Sequence, residues 1–384
     1  MHIGKFYHPH PGGIETFMRD LLVALADESV QTLALVHAHR RADELGCSGR
    51  ELDGDVQVRR VPCFGSVLYA PVSPSFLSWL DNAIDDFKPD LLHLHLPNTS
   101  AFWALASGRA RSIPWVVHWH ADVITPVTQR KLGLAYRIYQ PLEHAILRGA
   151  RAIVATSPPY LANSTPLQAV KDRCQVIPLG LNTTRFSPGL AEVSAWAGRT
   201  WGNASLRVFA LGRLAHYKGF QHLIEATAHL GDVQVLIAGK GEEQDFLQRE
   251  ILRHGVANKV RLLGYVDDDH AHALMATCDV FCLPSVEKTE AFGMVLLEAM
   301  AFSRPIVASR LDDSGVGWVV QDGITGLLAQ PGSAADLAEK ILAAANRPEL
   351  GIAGRRRLDV EFAIDRVAKQ MASAYQGVLD APKM

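Results

Sequence analysis

The chain has 384 residues, 48% of them hydrophobic and 20% charged, with a formal net charge of −2. That length outgrows one ordinary α/β core and predicts two domains, while the near-neutral balance excludes a broad nucleic-acid surface and the composition excludes a disordered or solenoid chain. No apolar run approaches the roughly 18 residues of a membrane span and no signal-peptide core opens the sequence, so a soluble, cytoplasmic protein is expected.

The first half alternates β-rich runs with helical periodicity. The runs are HIGKFYH, TLALVHA, VQVRRV, LLHLHL, WVVHWH, RAIVATS and QVIPLG. After Gly12-Gly13 a helix is predicted from about Ile14, because Ile14, Phe17, Met18, Leu21, Leu22 and Leu25 form one apolar stripe. Between Ser187 and Ser205 the pattern breaks into small and turn residues, which places a domain boundary there. A second series then restarts with LRVFALG, a helix from Gly219, VQVLIAG, a helix from Glu242, KVRLLGYV, a helix after Asp268, DVFCLPS, a helix over Met294 to Ala301, PIVAS and GWVVQDG. Charged helices run from Ala334 to the end. The expected fold class is α/β, with two Rossmann-like domains facing across a cleft where ligands bind.

The densest chemistry lies in SVEKTEAFGMVLLEAMA. The helix after Gly293 is apolar nearly all round, so Glu298 is expected to be buried and to need partners for its charge. Ligand hydroxyls suit it and Glu290, while the glycine lets N–H groups at the helix start approach a phosphate or sugar. The bland reading, in which Glu298 meets a structural arginine and Glu290 caps the helix, fits the spacing equally well. LGRLAHYKG favours the ligand: Arg213 and Lys218 follow the first strand of the second series, where two cations suit a diphosphate leaving group.

In the first half, Gly12-Gly13 before a helix can present N–H groups to a phosphate, although plain loop chemistry explains such a pair as well. WHAD offers His120 and Asp122 at a strand end. His93 and His95 share one strand face, as do His118 and His120. With Asp122 these histidines can also be read as a metal site suited to a hydrolase, but they sit among apolar residues without a Glu-bearing helix motif, and no metal is assigned. Asp267-Asp268-Asp269 contains a DxD pattern but reads better as a helix N-cap, and GKGEEQ lacks the third glycine of a dinucleotide fingerprint. The five cysteines form no CxxC pair and read as reduced structural thiols.

PGGIE, WHAD, GRLAHYKG and EAFGMVLLE, in this order, resemble the retaining GT-B glycosyltransferases often numbered family four, over essentially the whole chain. VVHWHADVI, IVATSPPYLANS and VIPLGLN look most like bacterial mannosyltransferases of O-antigen or exopolysaccharide synthesis. The resemblance implies Arg213 and Lys218 on the donor diphosphate, Glu290 on the sugar hydroxyls and Glu298 on the ribose. It also implies the backbone of Phe292, Gly293, Met294 and Val295 near sugar and phosphate, His120 beside the sugar, and Gly12 and Gly13 near the phosphates. It implies no cofactor or metal, a nucleotide-diphosphate sugar as co-substrate with GDP-mannose favoured over a UDP-hexose, and a polyprenyl-diphosphate-linked glycan acceptor. It further implies peripheral contact with the inner membrane leaflet, which Arg130, Lys131, Arg137, Arg148 and Arg151 suit, although a solvated helix face explains them at least as well. The expected domains are 1–187, a linker 188–205, 206–361, and a terminal helix 362–384 crossing back to the first. A nucleotide-sugar epimerase or a non-catalytic sugar-nucleotide binding subunit would keep the fold and change the class.

Overall fold

The computed structural model describes residues 1–39, 48–67, 70–123, 130–186 and 191–382. Cys47, the start of the expected linker (188–190) and the side chains of Arg130 and Lys131 lie outside the described residues. The chain divides into two compact units, Met1–Gly180 with Ile364–Met384, and Leu181–Ala363.

The first unit is built on eight strands: β1 (His2–Ile3), β2 (Leu33–His37), β3 (Gly49–Asp53), β4 (Val56–Val61), β5 (Leu92–Leu96), β6 (Trp115–Trp119), β7 (Ala152–Ala155) and β8 (Cys174–Val176). They lie in the order β8-β7-β6-β5-β1-β2-β4-β3, parallel throughout except for β3 against β4. The central runs β2, β5 and β6 are buried at every position, as a parallel sheet covered on both faces requires. Helix α1 (Gly13–Asp27) seats Phe17, Met18, Leu21, Leu22 and Leu25 in the interior, each fully buried, and such burial contributes roughly 1.5–3 kcal/mol per side chain. Helix α2 (Arg130–Gly149) precedes β7. The terminal helix, Ile364–Asp380, packs on α1 and turns Val367, Met371, Tyr375 and Val378 inward at helical spacing.

The second unit opens with α3 (Ala191–Trp201), inside the stretch expected to be a linker. Its small residues hide a helix whose Ala197 and Trp201 are buried, with the Trp201 indole donating to Thr277 Oγ1 at 2.8 Å. Six parallel strands follow: β9 (Leu206–Leu211), β10 (Val233–Ala238), β11 (Val260–Gly264), β12 (Val280–Leu283), β13 (Ile306–Ser309) and β14 (Leu327–Ala329). Their order is β11-β10-β9-β12-β13-β14. The winding direction reverses between β9 and β12, and in such sheets ligands bind at that switch point, outside the carboxyl ends of the strands. Three helices matter for it: α4 (Phe220–Thr227), α5 (Asp268–Thr277) and α6 (Met294–Ala301).

One expected strand is absent and one strand went unforeseen. GWVVQDG is no strand: Val316–Val319 is a helical turn whose Val316 N–H is capped by Ser314 Oγ, and the sixth strand is Leu327–Ala329. A short apolar run does not separate a strand from a buried turn of helix. Conversely, GRELD forms the antiparallel strand β3, whose polar, half-exposed alternation carries no apolar signal.

Candidate functional site

In the second unit, the chain leaving β9 passes Gly212 and Arg213 into a short turn, His216–Lys218, then Gly219 and α4. The chain leaving β12 runs through Pro284 and Ser285 to Glu290. Because β9 and β12 are hydrogen-bonded neighbours, the two loops emerge side by side, and Val286 N–H donates to Tyr217 O at 2.8 Å. Gly219 sits at φ +66°, and a Cβ there would lie 2.1 Å from Pro284 O. Only glycine allows this approach.

The side-by-side loops bring Lys218 Nζ within 2.5 Å of Glu290 Oε2. Both residues are only 8% exposed, so each charge depends on the other. Ser285 Oγ donates to the same carboxylate oxygen at 2.9 Å, and Ser314 Oγ donates to the Glu290 carbonyl. Burial opposes the lysine charge, yet Glu290, Tyr217 and Glu298 outweigh it and the Lys218 pKa is raised. A fixed cation therefore stands at the switch point. Its stem crosses Gly212, where a Cβ would be 3.3 Å from Lys218 Cε and Nζ.

Glu290 does not cap α6; the N-cap is Gly293 at φ +80°, without a side-chain cap. Phe292 is buried against Trp318 and Phe362, with ring centroids 6.3 and 6.0 Å away, which fixes the turn into the helix. Met294, Val295 and Glu298 are half-buried on α6 while Leu296, Leu297 and Met300 face the core. The Glu298 charge reaches Lys218. Arg213 stands on the exposed side of its loop, paired with Glu242 at 3.0 Å, and its charge, like those of Lys218, Glu290 and Glu242, acts on the Tyr217 phenol, whose pKa burial raises. Arg213, Lys218, Glu290 and Glu298 thus gather in one corner of this unit. Ser285, Ser314, Tyr217 and Glu242 complete it, and sequence reasoning missed them; only the position of Ser285 directly after a strand hinted at it.

Two demoted motifs find structural work. Asp267 Oδ1 accepts from His270 N–H at 2.9 Å as the N-cap of α5. In GKGEEQ, a Cβ on Gly239 would lie 1.8 Å from Gly212 O and one on Gly241 2.2 Å from Leu214 O, so these glycines let the loops after β9 and β10 touch backbone to backbone.

In the first unit, Gly12 and Gly13 are exposed at the start of α1. The Glu15 carboxylate folds back over them, 2.2 Å from where a Gly12 Cβ would be, and burial pushes its pKa up to about 7. A helix start attracts an anion, and here the chain supplies its own. His120 follows β6 and is 4% exposed. Asp122 braces the same turn: its Oδ1 accepts from Trp119 Nε1 at 2.9 Å and Ser164 Oγ at 2.6 Å, and its N–H donates to the Tyr160 hydroxyl at 2.5 Å.

Acid sensitivity follows from this interior. Burial holds His2, His93, His118 and His120 well below the usual imidazole range, His95 at about 3 and His37 at about 4. Below pH 6.5 these groups take up protons only when the chain unfolds, each costing up to about 1.4 kcal/mol per pH unit until its folded pKa is reached. Glu15 and Glu143, both pushed up to about 7 by burial, act in the opposite sense between pH 7 and 4.5, but two carboxyls are outnumbered by six imidazoles. The melting temperature is expected to fall steadily from pH 6.5 to 4.5; a flat profile would contradict the burial of these rings.

A family model described as a glycosyl transferase 4-like domain matches residues 12–180, and one described as glycosyl transferases group 1 matches residues 201–355. The chain is 28% identical to O-antigen chain mannosyltransferase C of Escherichia coli over 99% of both chains. It is 30% identical to phosphatidyl-myo-inositol mannosyltransferase of Mycobacterium leprae (strain TN) over 87% of this chain and 83% of the relative. The solved sucrose-phosphate synthase of Thermosynechococcus elongatus superposes with a TM-score of 0.80 at 22% identity, covering 99% of each chain. With two parallel-sheet units, a cation and carboxylates at the switch point of the second, and matches that run along both, the chain belongs to the group 1 glycosyl transferases and has the GT-B fold.

Proposed function

We propose that the protein transfers a mannosyl unit from GDP-mannose to a lipid-linked oligosaccharide of a bacterial surface polysaccharide, with retention at the anomeric carbon. The observation that carries the donor site is the buried Lys218–Glu290 pair at the switch point, with Glu298 within electrostatic reach. Mannose is favoured by the two relatives named mannosyltransferase. Lys218 and Arg213 hold the diphosphate, Glu290 turns from the lysine to the sugar hydroxyls, Glu298 takes the ribose, and the Phe292 to Val295 backbone lies against sugar and phosphate. Gly12 and Gly13 approach the phosphates once Glu15 swings away, and His120, on the turn braced by Asp122, contacts the sugar.

In the step itself the bond from C1 to the phosphate oxygen breaks, and the acceptor oxygen bonds to C1 on the same face. The acceptor proton passes to the departing phosphate. Charge growing on that phosphate is what the fixed cations stabilise, and no metal is assigned to the step.

The test is a thermal-shift screen of GDP, UDP and their sugars, followed by nucleotide release with and without an acceptor glycan. Stabilisation by GDP-mannose and release only with acceptor are expected. Selective binding of UDP-sugars would replace the donor, release without any glycosylated product would remove transfer, and an inverted product anomer would remove retention.

Among the described residues no helix is long and apolar enough to cross a membrane. Contact with a lipid surface is part of the proposal, because Leu134, Ile138 and Leu142 stand exposed along one face of α2, with Arg137 beside them. Leu134→Ser with Ile138→Ser is expected to weaken co-sedimentation with anionic vesicles severalfold without lowering the melting temperature; undiminished sedimentation would exclude this helix as the contact.

A further inference from the structure

The parallel register of the first unit stacks an unusual number of imidazoles on one sheet face. His2 is directly opposite His93 and His95 directly opposite His118, and alternation puts His95 on the face of His93 and His120 on that of His118. Five buried histidines therefore form one column, with Phe17 of α1 edge-on to His118 and His120 and Tyr375 of the terminal helix edge-on to His2 and His93. Four members and the phenol are joined in a single file. His93 Nδ1 pairs with Tyr375 Oη at 2.6 Å, Tyr375 Oη with His2 Nε2 at 3.2 Å, His2 Nδ1 with His95 Nε2 at 3.0 Å, and His95 Nδ1 with His120 Nε2 at 2.9 Å. The two terminal nitrogens, His93 Nε2 and His120 Nδ1, have no partner among the described residues.

A neutral imidazole gives one hydrogen bond and takes one, and a phenol can do the same. Burial keeps all these rings neutral, so fixing the direction of one bond fixes every other. Only two arrangements satisfy the file. If the bonds run from His120 towards His93, an unpaired N–H is left on His93, fully enclosed between His2 and His95, where no ligand reaches it. If they run the other way, the spare N–H stands on His120 Nδ1, just beyond the carboxyl end of β6, and His93 keeps only a bare lone pair. Either direction leaves one spare N–H without a partner among the described residues, and an orphaned buried donor is costly. His93 is fully enclosed, whereas His120 keeps 4% exposure at the strand end where a ligand oxygen can satisfy it, so the second arrangement is preferred.

A metal fits these nitrogens less well. Two triads, His2/His93/His95 and His95/His118/His120, hold ligand atoms within 4.8 Å of one another. However, His118 and His120 are stacked at 4.2 Å with planes 7° apart, and His93 and His95 at 4.6 Å and 18°. Stacked rings hold their in-plane lone pairs in separate parallel planes, whereas a tetrahedral ion needs those lone pairs to converge on one point.

We propose that Tyr375, His2 and His95 are positioning residues that set the tautomer of His120, making its Nδ1 a hydrogen-bond donor to an oxygen of the bound donor substrate. The file passes through Tyr375 on the terminal helix, so that helix contributes to the chemistry of a turn it follows by most of the chain. The proposal rests on the reading of His120 as a substrate-facing residue, and its test separates the two. In the full chain labelled with 15N-histidine, nitrogen shifts are expected to show His2, His95 and His120 protonated at Nδ1, with scalar couplings across the His2–His95 and His95–His120 bonds. Tyr375→Phe keeps the packing but removes the phenolic bond; the His120 tautomers should then mix, and kcat for nucleotide release should fall about tenfold while the donor KM changes less than about twofold. Protonation of His120 at Nε2, missing couplings, an unchanged tautomer in Tyr375→Phe, or a stoichiometric tightly bound metal by elemental analysis would each overturn the file. Unchanged turnover in His120→Ala would overturn its catalytic consequence, even with the nitrogen shifts of the wild-type chain as expected.

Discussion

Lys218→Met is expected to lower turnover by about 10²–10³-fold and to destabilise the second unit by about 3–5 kcal/mol, with two distinct causes. The loss of stability comes from Glu290, which stays buried with its carboxylate deprived of the cation 2.5 Å away. The loss of turnover comes from the phosphate, whose growing negative charge no longer meets a prearranged ammonium. A double variant, Lys218→Met with Glu290→Gln, separates them. Replacing both charges removes the buried imbalance, so urea unfolding should recover most of the lost stability, while turnover stays low. Recovery of turnover in the double variant, or single-variant turnover within about twofold of the parent, would mean that the pair is structural only.

Gly219→Ala is expected to be among the most damaging single methyls in the second unit. The residue has φ +66°, which costs a side chain about 1–2 kcal/mol in itself, and its Cβ would meet Pro284 O at 2.1 Å. Backbone oxygen cannot turn aside, so the loop bearing Lys218 must part from the loop bearing Glu290. Gly202 supplies the control: it also has φ +66°, but nothing lies within 4 Å of its Cβ position. Gly202→Ala should cost about 1 kcal/mol and leave nucleotide affinity intact. Gly219→Ala should cost several kcal/mol more and weaken nucleotide binding at least about tenfold in calorimetric titration. Equal effects in the two variants would show that the contact between the loops is soft and that the positions of Lys218 and Glu290 do not depend on it.

Much of this architecture was legible because its signals are local. The stripe from Phe17 to Leu25 predicted α1, the apolar run from Met294 to Ala301 predicted α6, and Asp267 read correctly as a cap. Where the local signal was ambiguous the reading failed. Val316–Val319 is too short for its periodicity to tell helix from strand, and the helix over Ala191–Trp201 is masked by small residues that resemble a linker. The division at Gly180/Leu181 and again at Ala363/Ile364, rather than at 187 and 361, has a related origin. Chain composition marks where structure loosens, whereas compact units are defined by which surfaces bury one another.

Local signals were enough to read most of the elements, the two parallel-sheet series and the short motifs that end their strands, because side-chain periodicity and turn chemistry act over a few residues. They even placed His93 with His95 and His118 with His120, since alternation along a strand is a local rule. That β9 lies beside β12, so that Lys218 closes on Glu290, and that β1, β5 and β6 are in register beneath Tyr375, emerges in the folded chain alone. Ion pairs and hydrogen bonds of this kind are fixed to fractions of an ångström by strand order and register, and those are settled by the collective burial of both sheets rather than by any segment alone.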